Sequence, residues 1–330
     1  MAMKKLAMIG CGNIAEYHLD HLVQFKDIEL AGFCDVLIDR AEAFVAKAES
    51  GKAYSDFVRM YDDIKPDMVF ICIPPGVRGY VEFETIRRGI HMFAEKPLAL
   101  DLNLGRDMVR RVKESGIIAA GGFQCRYDSI NAPAREFIKK QPILHVAGSR
   151  VDGLPKGLWG RTKYTSGGQL AERSIHQMDI MRYLLDDDPV IVFSVASSGC
   201  ITEEEIPGFF NDHYSTTLIT FKSGTTATMI AGYYGQTRNC WDNKITFGTR
   251  TSRMDYKLIS GLTIYDENGE TTIKSERDPG LESDRTFVEA VISGDPSKIR
   301  NPYADAWKSV AFCLACNESM RTGQPVKVEY

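Results

Sequence analysis

Three short stretches place reactive side chains at spacings that can do chemistry. In "FAEKPLAL" the run Glu95-Lys96-Pro97 ends an apolar, strand-like segment. An amine there can accept or hold a proton if burial and neighbouring cations bring its pKa from about 10.4 toward roughly 7 to 8. The plainer alternative is a surface lysine held to Glu95. In "GGQLAERSIHQMD", Glu172, His176 and Asp179 stand at i, i+4 and i+7, one face of an α-helix. An acid, an imidazole and a second acid on one face suit proton transfer, a metal site or a polar helix surface, and spacing alone leaves all three open. The third stretch, "LAMIGCGNIAEYH", spaces Gly10, Gly12 and Ala15 as G-x-G-x-x-A between an apolar run and a helix expected from about Ile14 to Gln24. The first glycine permits a tight turn, the second lets the backbone approach a pyrophosphate, and the small third residue lets helix pack on strand. Asp35, 20 residues after Ala15, can accept hydrogen bonds from an adenosine ribose. Its charge favours NAD over NADP, with Arg40 close enough to soften the preference. Cys11 and His18 read as filler and as a solvated helix residue.

Such groups need a scaffold, and the first 123 residues supply one. Apolar runs ("KKLAMIG", "IELAGFCD", "DMVFICI", "IHMFAE", "IIAAGGF") alternate with amphipathic helices, which implies a parallel sheet covered on both faces, a doubly wound α/β fold. Ligands of such sheets sit beyond the carboxyl ends of the strands, where Glu95-Lys96 falls. Residues 124–330 differ. A helix near Ala132 to Lys140 and another over roughly Gly168 to Leu185 are followed by alternating strands such as "HYSTTLITF" and "NKITFGT". These predict an α+β domain with a large, open, mostly antiparallel sheet. An open sheet needs its far face covered, and a second copy of the chain would do so.

The 330 residues, 44% hydrophobic and 25% charged with a formal net charge of -4, describe a globular protein with room for two cores. That charge offers no basic field for nucleic acid or anionic membrane, and no apolar run is long enough to span a bilayer. A cytoplasmic location is expected, with its eight cysteines reduced. The close pair Cys313 and Cys316 lacks the further thiols of a zinc site.

With these pieces in order, the sequence resembles the Gfo/Idh/MocA family, the glucose-fructose oxidoreductase and inositol dehydrogenase group. The likeness rests on "IGCGNIA", "CIPPGVRGYVEFETIRRGIHMFAEKPLAL", "GGFQCRYD", "WGRTKYTSGGQLAERSIHQMDIMRYLL" and the tail "NESMRTGQPVKV". The resemblance implies an N-terminal Rossmann domain (1–123) and a C-terminal domain (124–330) for substrate binding and for assembly into dimers or tetramers. Lys96 then corresponds to the family's catalytic lysine, Pro97 to its proline, often cis, and His176 to the histidine that exchanges the substrate proton. Glu172 stands where many members have Asp and is one methylene longer, and Arg78 stands where many have His. A cofactor, NAD with NADP as the second choice, is implied at Gly10, Gly12, Asn13, Ile14, Asp35, Arg40, Ile73, Pro74, Glu95 and Lys96. No metal is implied. Arg126, Tyr127, Trp159, Arg161 and Tyr234 are candidate contacts for a hydroxyl-rich ring, beside Lys96, Glu172 and His176. The implied activity is a dehydrogenase acting on a CH–OH group of a sugar, sugar derivative or cyclitol. The alternatives are an NAD-retaining glycosidase working by transient oxidation, a reductase of an unrelated carbonyl, imine or tetrapyrrole, and a non-catalytic NAD-binding regulator.

Overall fold

The computed structural model describes residues 3–155 and 157–330. The chain forms two compact units, the first made of Met1–Ala99, Asn103–Gln124 and Gly280–Trp307, the second of the remainder. Residues 280–307, expected with the C-terminal domain, lie in the first unit.

In the first unit, β1 (Lys4–Ile9), α1 (Asn13–Leu22), β2 (Ile28–Cys34), α2 (Ile38–Ala48), β3 (Lys52–Tyr54), α3 (Phe57–Ile64), β4 (Met68–Ile71), α4 (Tyr80–Arg87), β5 (His91–Ala94), α5 (Leu102–Ser115) and β6 (Ala119–Gly121) follow one another. The strands form one parallel sheet in the order β3-β2-β1-β4-β5-β6. The order reverses between β1 and β4, so the carboxyl ends of those strands open the crevice in which such sheets take ligands. Every residue of β4 is buried, as a strand covered on both faces requires. β3 and α3 add to the elements anticipated: β3 is a three-residue edge strand, and α3 starts where the Asp56 side chain accepts from the amides of Val58 and Arg59. On one face Phe70 and Phe93 stack at 4.8 Å, and Phe287 of the helix Pro279–Ser293 meets both edge-on. Burial of rings of this size contributes about 1.5–3 kcal/mol each, which explains why that late helix belongs to the first core.

The second unit holds β7 (His145–Val151), β8 (Pro189–Ser197), β9 (Tyr214–Phe221), β10 (Thr226–Gly232), β11 (Asp242–Gly248), β12 (Arg253–Lys257), β13 (Gly261–Asp266), β14 (Gly269–Lys274) and β15 (Val326–Lys327). They build a nine-stranded sheet in the order β14-β13-β12-β11-β7-β10-β9-β8-β15. Only β7 and β10 pair in parallel. β9 alternates strictly: Ser215, Thr217, Ile219 and Phe221 are buried, and Tyr214, Thr216, Leu218 and Thr220 are exposed. The helix Ile175–Leu185 covers the buried face, with Gln177 Nε2 donating to Asn243 Oδ1 on β11 at 2.5 Å.

Candidate active site

In the first unit, the β1–α1 loop holds its shape without help from a ligand at one glycine and leaves space for one at the other. Gly10 has φ +86°, and a Cβ there would collide with the Cys72 carbonyl oxygen, so the fold itself demands glycine. Gly12 has φ -95° and ψ -171°, extended backbone open to any residue, and a Cβ there would meet no atom within 4 Å. Neither backbone nor packing asks for glycine at this position. A pyrophosphate approaching the first amides of α1 would. Ala15 is fully buried against the sheet, and Asn13 and Ile14 are exposed at the helix start.

Asp35 follows β2 and is oriented by the loop: Oδ2 accepts from the Cys11 amide at 2.8 Å and Oδ1 from the Leu37 amide at 2.9 Å. Each carboxylate oxygen keeps capacity for another donor, such as a ribose hydroxyl. Val36, Leu37 and Ile38 beside it are exposed apolar residues, and Arg40 is exposed on α2. Burial first and the Asp35 charge second push the Cys11 thiol up to about 12, so it is no nucleophile. Ile73 and Pro74 follow β4, at the sheet's reversal point.

Glu95 and Lys96 follow β5, and the Lys96–Pro97 bond is cis. Arg78 has a fully buried side chain; Nη1 donates to Glu82 Oε1 at 3.0 Å and Nη2 to the Glu95 carbonyl at 2.6 Å. Arg78 thus holds the backbone one position before the lysine. The Glu95 carboxylate is turned inward, 4% exposed, and accepts from the Lys96 amide at 3.1 Å.

In the second unit the expected uniform α-helix is interrupted. Leu170–Ser174 is a π-helical turn, followed by the α-helix Ile175–Leu185. The extra residue in that turn shifts Glu172 off the i, i+4, i+7 row, a distortion that recurs at functional sites. Glu172 and His176 are half-buried, whereas Asp179 is buried. Asp179 accepts from Arg126 Nε at 2.8 Å and Nη2 at 2.6 Å and from Ser309 Oγ at 2.5 Å. Arg126, expected against substrate, is 2% exposed, and those two nitrogens are committed to this ion pair, with the Tyr183 ring 5.1 Å away. The pair is scaffold, and Asp179 is not an open acid.

Glu172 has partners that went unnoticed in the sequence. Its Oε2 accepts from Tyr233 Oη at 3.2 Å and from Arg173 Nε at 3.1 Å, and Arg173 Nη1 donates to Asp152 Oδ1 at 2.6 Å. Burial first, then the Glu172 charge, raises the Tyr233 hydroxyl well above 10. Tyr234, the expected contact, lies on the other face of the sheet: it packs edge-on to Tyr214 at 6.0 Å and covers Gly232. The signal was available, because Ala227, Met229, Ala231 and Tyr233 share the buried parity of β10. Tyr127 is buried, and Trp159 is exposed on a short 3-10 turn. On the same turn Arg161 Nη1 donates to the Pro207 carbonyl at 2.9 Å. Cys313 and Cys316 are buried with thiols raised by that burial, Cys316 to about 12.

Among the described residues no helix is long and apolar enough to cross a membrane. Residues 4–123 match the model of an oxidoreductase family with an NAD-binding Rossmann fold, and residues 142–328 match that family's C-terminal alpha/beta domain. The chain is 30% identical to scyllo-inositol 2-dehydrogenase (NAD(+)) of Bacillus subtilis, with 98% of this chain and 96% of that protein covered. It is 25% identical to myo-inositol 2-dehydrogenase of Thermotoga maritima, with 98% of each covered. A crystal structure of an Agrobacterium radiobacter oxidoreductase in complex with NAD+, L-tartaric acid and magnesium shares the fold, with TM-score 0.85, 18% identity and 99% of each chain covered. The loop with room at Gly12, the oriented Asp35 and both family models give one conclusion: the chain belongs to the Gfo/Idh/MocA family of NAD-binding oxidoreductases.

Proposed function

We propose that the chain oxidises a ring hydroxyl of a cyclitol, sugar or sugar derivative, with Lys96, His176 and Glu172 as the working side chains. The observation that carries this reading is the mounting of Lys96. Its backbone is held from two directions just past the carboxyl end of β5, the strand beside β4, through the Glu95 carboxylate and through Arg78. The full-length likeness to two inositol dehydrogenases supplies the substrate class. Bound NAD supplies the hydride acceptor. The Lys96 ammonium binds the substrate oxygen and stabilises the negative charge that builds there as its proton leaves. The His176 imidazole takes that proton. Glu172, anchored by Tyr233 and Arg173, accepts from a neighbouring hydroxyl and sets which carbon is presented. Tyr127, Trp159 and Arg161 remain candidate contacts for the ring.

The outer face of the nine-stranded sheet exposes Ile191, Val195, Tyr214, Leu218 and Ile230. A second copy covering that face is the state we assign to the protein, as a homodimer or a tetramer built from it.

The test screens inositols, free sugars and glycosides with NAD at fixed pH, following NADH absorbance and product together. Net NADH from a polyol is expected, and Lys96→Ala should lose at least about 1000-fold in kcat, the scale of one strong transition-state contact, while NADH still binds. Cleaved glycoside without net NADH, or Lys96→Ala at the parent rate, would refute the assignment.

A further inference from the structure

His18 lies on α1, the helix that opens at the dinucleotide loop, and it is not the solvated residue expected from the sequence. It falls with Ala15, Leu19 and Leu22 on the buried face, its ring 5.3 Å from both Phe70 and Phe93. Nδ1 lies 2.8 and 2.9 Å from the two oxygens of Asp284, and Nε2 lies 3.2 Å from Glu95 Oε1. Ionised carboxylates only accept, so with Asp284 and Glu95 charged both ring nitrogens donate and the ring is an imidazolium. Burial alone would lower its pKa, but the Asp284 charge and the hydrogen bonds to Asp284 and Glu95 outweigh burial and push it up to about 10. The groups around the ring are Asp284 from the helix Pro279–Ser293, Glu95 from the end of β5, and His21 and Tyr17 from α1 itself. His21 Nδ1 also bonds Asp284 Oδ2, at 2.7 Å.

Two histidines on one carboxylate form a group that could hold a metal ion, but the contacts in this structure are hydrogen bonds. Ligands each about 2.0–2.1 Å from a tetrahedral zinc stand roughly 3.3 Å apart. Here the nitrogens are 2.7 to 2.9 Å from the Asp284 oxygens, the span of a shared proton.

Glu95 is the hub. One carboxylate oxygen takes His18 and the other takes the Lys96 amide. The Glu95 carbonyl takes Arg78, and Gly122 leaves the room its carboxylate fills, since a Cβ there would collide with it. The geometry points to His18 as a positioning residue: anchored by Asp284, it fixes the Glu95 carboxylate and through it the Lys96 backbone, so the helix that opens at the dinucleotide loop also sets the lysine. This rests on the role given to Lys96 above, and its test is kept separate from that role.

The test is amide hydrogen exchange at single-residue resolution on the full chain with NADH bound, for the parent, His18→Gln and Asp284→Asn. The Lys96 amide should exchange at least tenfold faster in both variants, while amides of β1 and β4 change less than twofold. With the polyol found in the screen, kcat should fall tenfold or more while the KM for NAD stays within threefold. An unchanged Lys96 amide, a loosening shared equally by β1 and β4, or an unchanged kcat each overturns the proposal. If neither variant folds, the parent decides. Across pH 7 to 10.5 its Lys96 exchange should climb above the simple hydroxide dependence as His18 loses its proton, and a rate that follows hydroxide throughout overturns the proposal. Lys96→Ala turnover reads the lysine's role independently: parent-like turnover there refutes the catalytic assignment and leaves the exchange result to judge the coupling alone.

Discussion

Gly12→Ala and Gly10→Ala should part company, because one glycine answers to a ligand and the other to the fold. At Gly12 the backbone is ordinary extended chain and the added methyl meets nothing within 4 Å. The protein without cofactor should therefore be as stable as the parent or gain about 0.4–1 kcal/mol from the stiffer unfolded chain. At Gly10 the left-handed backbone costs alanine about 1–2 kcal/mol, and relieving the overlap with the Cys72 carbonyl adds about 1–3 kcal/mol more. For a unit of this size each kcal/mol moves Tm by about 2–4 °C, so Gly10→Ala should melt about 10 °C lower and Gly12→Ala within a few degrees above the parent. NADH binding should show the opposite ranking of cause. The Gly12 methyl occupies the space a pyrophosphate would use, so Kd should rise at least tenfold, about 1.4 kcal/mol, in a protein that is fully folded. Melting curves without cofactor and a fluorescence titration with NADH measure both. Gly12→Ala binding NADH like the parent, or melting as low as Gly10→Ala, would refute the reasoning.

Arg126→Met should destabilise by about 3–5 kcal/mol, since it strands the buried Asp179 charge; a raised KM with unchanged Tm would instead restore Arg126 to the substrate. His18 also makes stability depend on pH. Its folded pKa is raised from 6.5 to about 10, so its contribution is complete below pH 6.5 and is lost as pH climbs toward 10. Between pH 7 and 8.5 the parent should lose about 1.4 kcal/mol per pH unit more in urea unfolding than His18→Gln, a difference in which ionisation of the thiols of the unfolded chain cancels. Equal losses in the two, or a smaller loss in the parent, would contradict the imidazolium.

Much of this was legible in residue patterns because the physics was local. Buried parallel strands announce themselves as apolar runs, and the spacing of Gly10, Gly12 and Asp35 states its geometry directly. The edge strand Lys52–Tyr54 was too short and too exposed to register, although Asp56 offered a helix cap just after it. Other features are decided by partners far along the chain. The π turn at Leu170–Ser174 follows no local propensity, and the amphipathic pattern of Pro279–Ser293 does not say which sheet it covers. His18 sat at helical spacing with Ala15, Leu19 and Leu22, a signal that polarity overrode. Tyr233 was passed over for Tyr234 although strand parity distinguishes them.

The return of residues 280–307 to the first unit bears on how the chain is made. A ribosome that has released residues 1–124 but not 280–307 has produced every strand of the parallel sheet but neither Phe287, which caps the stacked phenylalanines, nor Asp284, the counter-ion of His18. That half-built sheet carries an uncovered aromatic face and an unanswered charge. Its final consolidation waits until residues 280–307 have emerged as well.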